Sequence, residues 1–361
     1  MPLPLAPGEH LAGTPDQRRA LRRALHALRA RPDPGQTHPA LFLKTLANLL
    51  TSPPPFLDPG VLHAGLTETS RRYRELGIAG LLPPDRTFIG TASADPAAFG
   101  GFHHPGQGYR HWQMTAVITR YGPLHNPQSP DPRLAALDLI RAYAHDSLHY
   151  ASSRCYQWHP DGTRLVRVRY GINFRRPDGR PYSVPDPPGS PSTRNLGIII
   201  EAATDREARA ITARTARLQA ITPPPDDPDR AEYRDATGQL TTADLARHAA
   251  APEPGGPAGF LARMTAYERT IALRYTAFLA ELSPASPASL HAAILRAIIT
   301  GSLTELCRIL NQHHGPAAFA RLFKTTAYTS SRTQHFGFDT TPYTTPIFPF
   351  ACCQGRDQRS R

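Results

Sequence analysis

The segment His145-Asp146-Ser147-Leu148-His149 carries residue types at a spacing that can do chemistry. Two histidines four residues apart project from one face of a helix, one turn apart. Both imidazoles can then reach one ion at about 2.0–2.1 Å, the usual zinc–nitrogen distance. The chain holds 16 histidines, so one such spacing arises by chance, and ordinary core or hydrogen-bonded histidines are the competing reading. The segment Asn195–Asp205 supplies what the pair lacks. Glu201 follows Leu196, Ile198, Ile199 and Ile200, an apolar run in which a lone carboxylate is costly to bury and a cation would remove the cost. Asp205 lies one turn later on the same face, where it can accept a hydrogen bond from the outer N–H of a ligating histidine and fix its tautomer. Ala202 and Ala203 are small enough to let a second helix approach. The competing reading pairs Glu201 and Asp205 with Arg206 or Arg209 on a solvated helix face.

These residues together resemble the gluzincins, the thermolysin-like zinc peptidases. In that family one helix carries H-E-x-x-H and a later helix carries a glutamate within E-A-x-[ST]-[DE]. Here the second segment reads Glu201-Ala202-Ala203-Thr204-Asp205. Residues 164 to 182, around Gly171, are similar to a short β-hairpin that some small members place between the two helices. The likeness covers residues 85 to 220 and rests on a handful of positions. It implies a zincin-like fold, Zn2+ as cofactor, His145, His149 and Glu201 as ligands, and Asp205 as the partner behind a ligand. It also implies a peptide or protein substrate, laid against an edge strand at Met114–Thr119, and a water activated by the metal. The departure is Asp146, where the family has the glutamate that serves as general base. Aspartate reaches about 1.5 Å less far, one carbon–carbon bond. A displacement near 1 Å can cost about a hundredfold in rate. Three outcomes are open: a backbone shift that keeps Asp146 working as the base, a base acting through a second water, or a metal site that does not hydrolyse.

The elements that must position these residues are legible as periodicity. Helices are expected at Pro15–Arg31, Pro39–Leu50, Gly60–Leu76, Asp131–Ser153 and Asn195–Ala220. Further helices are expected at Phe260–Glu281, Ser289–Thr300, Ser302–His313 and Pro316–Phe323. Pro132 falls in the first turn of the histidine helix, where its missing N–H is harmless. Strands are expected at Thr87–Thr91, Met114–Thr119, Arg164–Tyr170 and Ile172–Arg175. The fold class is therefore α+β, mostly helical, with a small antiparallel sheet and a helical C-terminal subdomain. The proline-rich breaks suggest three regions: an N-terminal helical region at 1–80, a metal-binding core at 81–222, and a helical C-terminal subdomain with an irregular tail at 223–361.

Other candidates are weaker. Tyr170, His159, Tyr328 and His335 are of the right type to stabilise an oxyanion, but spacing does not choose among them. Phe102–Trp112 is dense in His, Gly and aromatics, as a surface loop or a lid would be. Cys155 and His159 form a conceivable nucleophilic pair with no third group to orient it. No C-x-x-C occurs among the four cysteines, which argues against a disulfide framework or a cysteine-rich zinc site.

Formal net charge is +12, and nearly all of it is arginine; the only lysines are Lys44 and Lys324. A basic nucleic-acid-binding protein is the alternative reading, with Arg18–Arg31 as its footprint. Arginine-rich coding is the plainer account. No apolar run reaches the roughly 18–20 residues of a membrane helix. The first residues lack a secretory pattern, so the expectation is a cytoplasmic protein.

Overall fold

Asp131 begins the histidine helix. Its side chain accepts from the N–H of Arg133 at 2.9 Å, and Pro132 takes the first helical position. In the computed structural model this helix runs Pro132–Ala151. The structure describes residues 5–29, 43–90, 101–104, 109–113, 131–175, 183, 185–251 and 256–324. In chain order the elements are β1 Glu9–Leu11, α1 Pro15–Arg29, β2 Leu43–Thr45, α2 Leu46–Thr51 and α3 Pro59–Glu75. Next come β3 Thr87–Gly90, β4 Gly101–His104, β5 Tyr109–Gln113, α4 Pro132–Ala151, β6 Arg154–Trp158, β7 Leu165–Tyr170 and β8 Asn173–Phe174. The remainder is helical: α5 Leu196–Leu218, α6 Asp229–Ala236, α7 Thr242–Arg247, α8 Gly256–Tyr267, a π-helical turn Glu268–Ala272, α9 Leu273–Leu282, α10 Pro287–Thr300, α11 Thr304–His314 and α12 Ala318–Lys324. The fold is α+β and mostly helical.

The described residues fall into two compact units. One draws on Leu25–Ala151 and Thr204–Ala272. In it α3 packs closely on α4, because Gly65 has no side chain to hold it off. A Cβ there would lie 2.8 Å from Ile140 Cγ2 and nearer still to Cγ1 and Cδ1. Tyr73 on α3 donates to the carbonyl of Ala144 on α4 at 2.7 Å, and Tyr143 donates to the Leu82 carbonyl at 3.0 Å. A four-stranded sheet of order β2-β3-β5-β4 belongs to this unit. The α6 and α8 helices meet through Ala231, Phe260, Leu261 and Met264.

The other unit draws on Met1–Ala24, Ser152–Ala203 and Leu273–Arg361. Its sheet has the order β1-β6-β7-β8. Gly171 turns β7 into β8 at φ +54°, with open space for a Cβ limited by Ile200 and Ile298 at 3.3 and 3.4 Å. A backbone chain of hydrogen bonds links Gly171 N–H to Ser153 O at 2.6 Å and Ser153 N–H to Ile298 O at 2.9 Å.

Several expectations need correction. The sheets are mixed rather than antiparallel: β1 runs parallel to β6, and β3 parallel to β5. Residues 39–50 are not one helix. Leu43–Thr45 instead form β2, and Thr45 caps α2 through a reciprocal pair with Asn48. The span Phe260–Glu281 is interrupted by the π-helical turn at Glu268–Ala272. Phe102–Trp112 is not simply a loop, since β4 and β5 pair antiparallel across it. The strand expected at Met114–Thr119, with Tyr328 and His335, lies outside the described residues.

Candidate metal centre

The α4 helix is buried almost all round from Leu134 to Leu148, and the partly open positions in that span, Ala142 and His145, continue to His149. These three follow a spacing of three and four, so they form one stripe along the helix. Both histidines therefore occupy the one side of α4 that the surrounding elements leave uncovered.

On α5, Asn195 sets the start by accepting from the N–H groups of Gly197 and Ile198 at 2.8 and 3.2 Å. Gly197, Ile198 and Glu201 form the partly open stripe of its first turns. Ala202 and Ala203 are buried.

His145, His149 and Glu201 come together: one ligand atom from each lies within 4.8 Å of the others. The Nε2 atoms of the two rings are 3.0 Å apart, and the rings meet edge to face with centroids at 4.6 Å. Two nitrogens bound to one tetrahedral zinc at about 2.05 Å stand about 3.3 Å apart. A ring rotation of a few tenths of an ångström thus brings the two nitrogens to that spacing. Without a metal, a 3.0 Å contact between two Nε2 atoms requires one ring to donate and the other to accept. A cation replaces that shared proton and uses both lone pairs. Two imidazoles and a carboxylate form a donor set that could hold a metal ion.

Asp146 is 2% exposed and does not join this group. Its negative charge acts on Tyr73. Burial first, then the fields of Glu207 and Asp146, push the Tyr73 phenol well above its usual range.

Asp205 faces His145, with Oδ1 3.9 Å from Nδ1. That is ion-pair range and beyond a hydrogen bond. Its oxygens are taken up elsewhere. Arg141 donates to Oδ1 through Nε at 3.1 Å and Nη2 at 2.9 Å. Arg209 Nε lies 2.9 Å from Oδ2. Arg141 Nη1 reaches Asp235 Oδ2 at 2.5 Å, and Arg209 Nη2 reaches Asp235 Oδ1 at 3.0 Å. Arg209 also contacts Glu268, the first residue of the π-helical turn. All five side chains are buried. Burial opposes the charged form of Asp205, but Arg141, Arg209 and the His145 ring outweigh it and hold the carboxyl below its usual range.

Sequence reasoning gave Arg209 as a partner of Asp205, on a solvated face and not this buried one, and missed the rest of the network. Arg141 stands four residues before His145, so helical spacing could have flagged it. Asp235 and Glu268 carry no such signal. The remaining candidates are otherwise engaged. His159 Nδ1 pairs with Asp161 at 2.9 Å. Tyr170 lies under the Arg167 guanidinium at 4.5 Å, and Cys155 is buried in β6.

No protein-family profile, no curated protein and no solved structure matches this chain. Any functional reading therefore rests on the residues themselves. Among the described residues no helix is long and apolar enough to cross a membrane.

Proposed function

We propose that this chain is a zinc-dependent hydrolase of the peptidase type, with His145, His149 and Glu201 as ligands and Asp146 as general base. The observation that carries the reading is the convergence of those three ligand atoms within 4.8 Å. They come from residues that resemble the zinc ligands of the gluzincins in type and order along the chain. Zinc, when bound, lowers the pKa of a water toward about 7 and polarises a carbonyl. The chain's own part is to present two Nε2 lone pairs and one carboxylate oxygen from helices fixed by packing. Glu201 contributes the negative charge that an imidazole pair lacks. Asp146 accepts the proton that the attacking water gives up and returns it to the leaving amine. The substrate class is a peptide or protein.

A second reading is a bound zinc without hydrolysis. The burial of Asp146 favours it. Elemental analysis of the purified full chain, followed by a peptide-cleavage assay, separates the two. The hydrolase reading expects one zinc per chain, lost in His145→Ala and in Glu201→Ala, and cleavage lost in Asp146→Asn. Zinc without cleavage, with activity gained in Asp146→Glu, supports the second reading. A chain that cannot be loaded with zinc ends both.

A further inference from the structure

Arg141, His145 and His149 stand at intervals of four on α4, so a fixed cation lies one turn from the first ligand. A bare guanidinium there would repel a metal ion, and Asp205 neutralises it. The manner of that neutralisation is informative. A carboxylate offers about four lone-pair positions, two on each oxygen. Arg141 fills both positions of Oδ1, through Nε and Nη2. That same oxygen faces His145 Nδ1, at 3.9 Å. Histidine ligands ordinarily donate their outer N–H to a carboxylate, which raises ligand basicity and orients the ring. Here the acceptor is present, correctly placed and already occupied. Resting on the zinc reading above, we infer that Arg141 is a positioning residue that withholds Asp205 from His145 and so sets the metal affinity of the site below what its donor set would give.

The rest of the network explains why Arg141 does not move aside. Asp235 grips its Nη1 at 2.5 Å. Asp235 is itself shared with Arg209, which holds the other oxygen of Asp205. Asp205, Asp235 and Glu268 with Arg141 and Arg209 sum to −1, so removing Arg141 alone would take the network to −2. Removing the charge of Asp235 as well restores −1.

The test uses the full chain in two forms, Arg141→Met and the charge-balanced Arg141→Met with Asp235→Asn. Two quantities are read. The first is the His145 imidazole proton and nitrogen NMR signal in metal-free protein, assigned against His145→Gln. The second is zinc affinity by competition with a chromophoric chelator. With Oδ1 released, Asp205 closes about 1 Å to hydrogen-bond distance. The Nδ1–H resonance should then move downfield, and zinc should bind about 10- to 100-fold tighter, the usual effect of such a partner. A purely structural role for Arg141 predicts lower folding stability with no downfield signal and weaker zinc. An unchanged His145 signal in the balanced double variant overturns the inference. If Arg141→Met does not fold, the double variant decides. If the native chain takes up no zinc, the zinc reading falls, and the His145 signal still settles whether Arg141 holds Asp205 away.

Discussion

Substituting Gly65 by alanine tests whether α3 truly fixes the helix that carries the histidines. Alanine in a helix interior is favoured over glycine by about 0.8–1.0 kcal/mol. A position with room would therefore gain stability. At Gly65 the added Cβ falls 2.8 Å from Ile140 Cγ2 and still closer to Cγ1 and Cδ1. Ile140 is 0% exposed, so it has no free space into which to turn. Overpacking of this kind costs about 1–3 kcal/mol, and three overlaps on one side chain argue for the upper part of that range. The net expectation for Gly65→Ala is a loss of about 1–2 kcal/mol, read from urea unfolding. Ile140→Ala removes all three overlapping atoms and alone should cost about 2–5 kcal/mol. In the double variant the new methyl enters the space left by Ile140. The two effects should then fall short of additivity by about 2 kcal/mol. A stabilised Gly65→Ala, or strictly additive costs, would refute the close packing of α3 on α4.

Three other outcomes are expected. If zinc binds the folded chain and not the unfolded one, zinc at about 100 times its Kd should stabilise it by about 2.7 kcal/mol, and a thermal scan with and without chelator reads this directly. Glu68 accepts from Arg71 at 2.8 Å and pairs with Arg214 at 2.8 Å. The Arg71 hydrogen bond leads in holding its carboxyl below the usual 4.5. A lowered folded-state value means stability present above 4.5 and lost as pH falls through the folded value. Glu68→Gln should therefore cost about 1 kcal/mol at pH 7, discounted for the exposure of both arginines, and progressively less below pH 4.5 in denaturation series. Gly301 closes α10 at φ +75°, and a Cβ there would stand 2.5 Å from Ser153 Oγ. Gly301→Ala should lower stability by about 1–3 kcal/mol; an unchanged unfolding midpoint would contradict that geometry.

What could be read from the sequence follows the range of the interactions involved. The histidine and glutamate helices are local features, set by periodicity and by caps such as Asp131 with Pro132, and their expected spans differ from the observed ones by a residue or two. Glu201 stood out because a carboxylate within an isoleucine run raises a question of cost. The strand β6 did not stand out. It begins three residues after a helix, with no turn signal before it, and its parallel partner β1 lies 145 residues earlier in the chain. The α6 and α7 helices are short, and charged residues such as Glu232, Asp235 and Asp244 are themselves among their buried positions, which breaks the apolar periodicity. Asp205 was legible as a partner for His145. Arg209, one turn on, was legible as a competing partner for Asp205, but Arg141 was not, because Arg141 and Asp205 are 64 residues apart and Arg141 and Asp235 are 94 apart. Such pairings are decided by tertiary packing.

The near-complete enclosure of α4 has a consequence for exchange and assembly. Amides of a helix covered on almost every side open only when its whole unit opens. His145 and His149 therefore ride on a segment that is among the last to yield. Their backbone positions do not depend on a cation to organise them, unlike those of a zinc finger, which collapses when stripped. Chelation should then leave the amide protection of Leu134 to Leu148 intact. On the zinc reading, the ion is a tenant of this helix and not its scaffold.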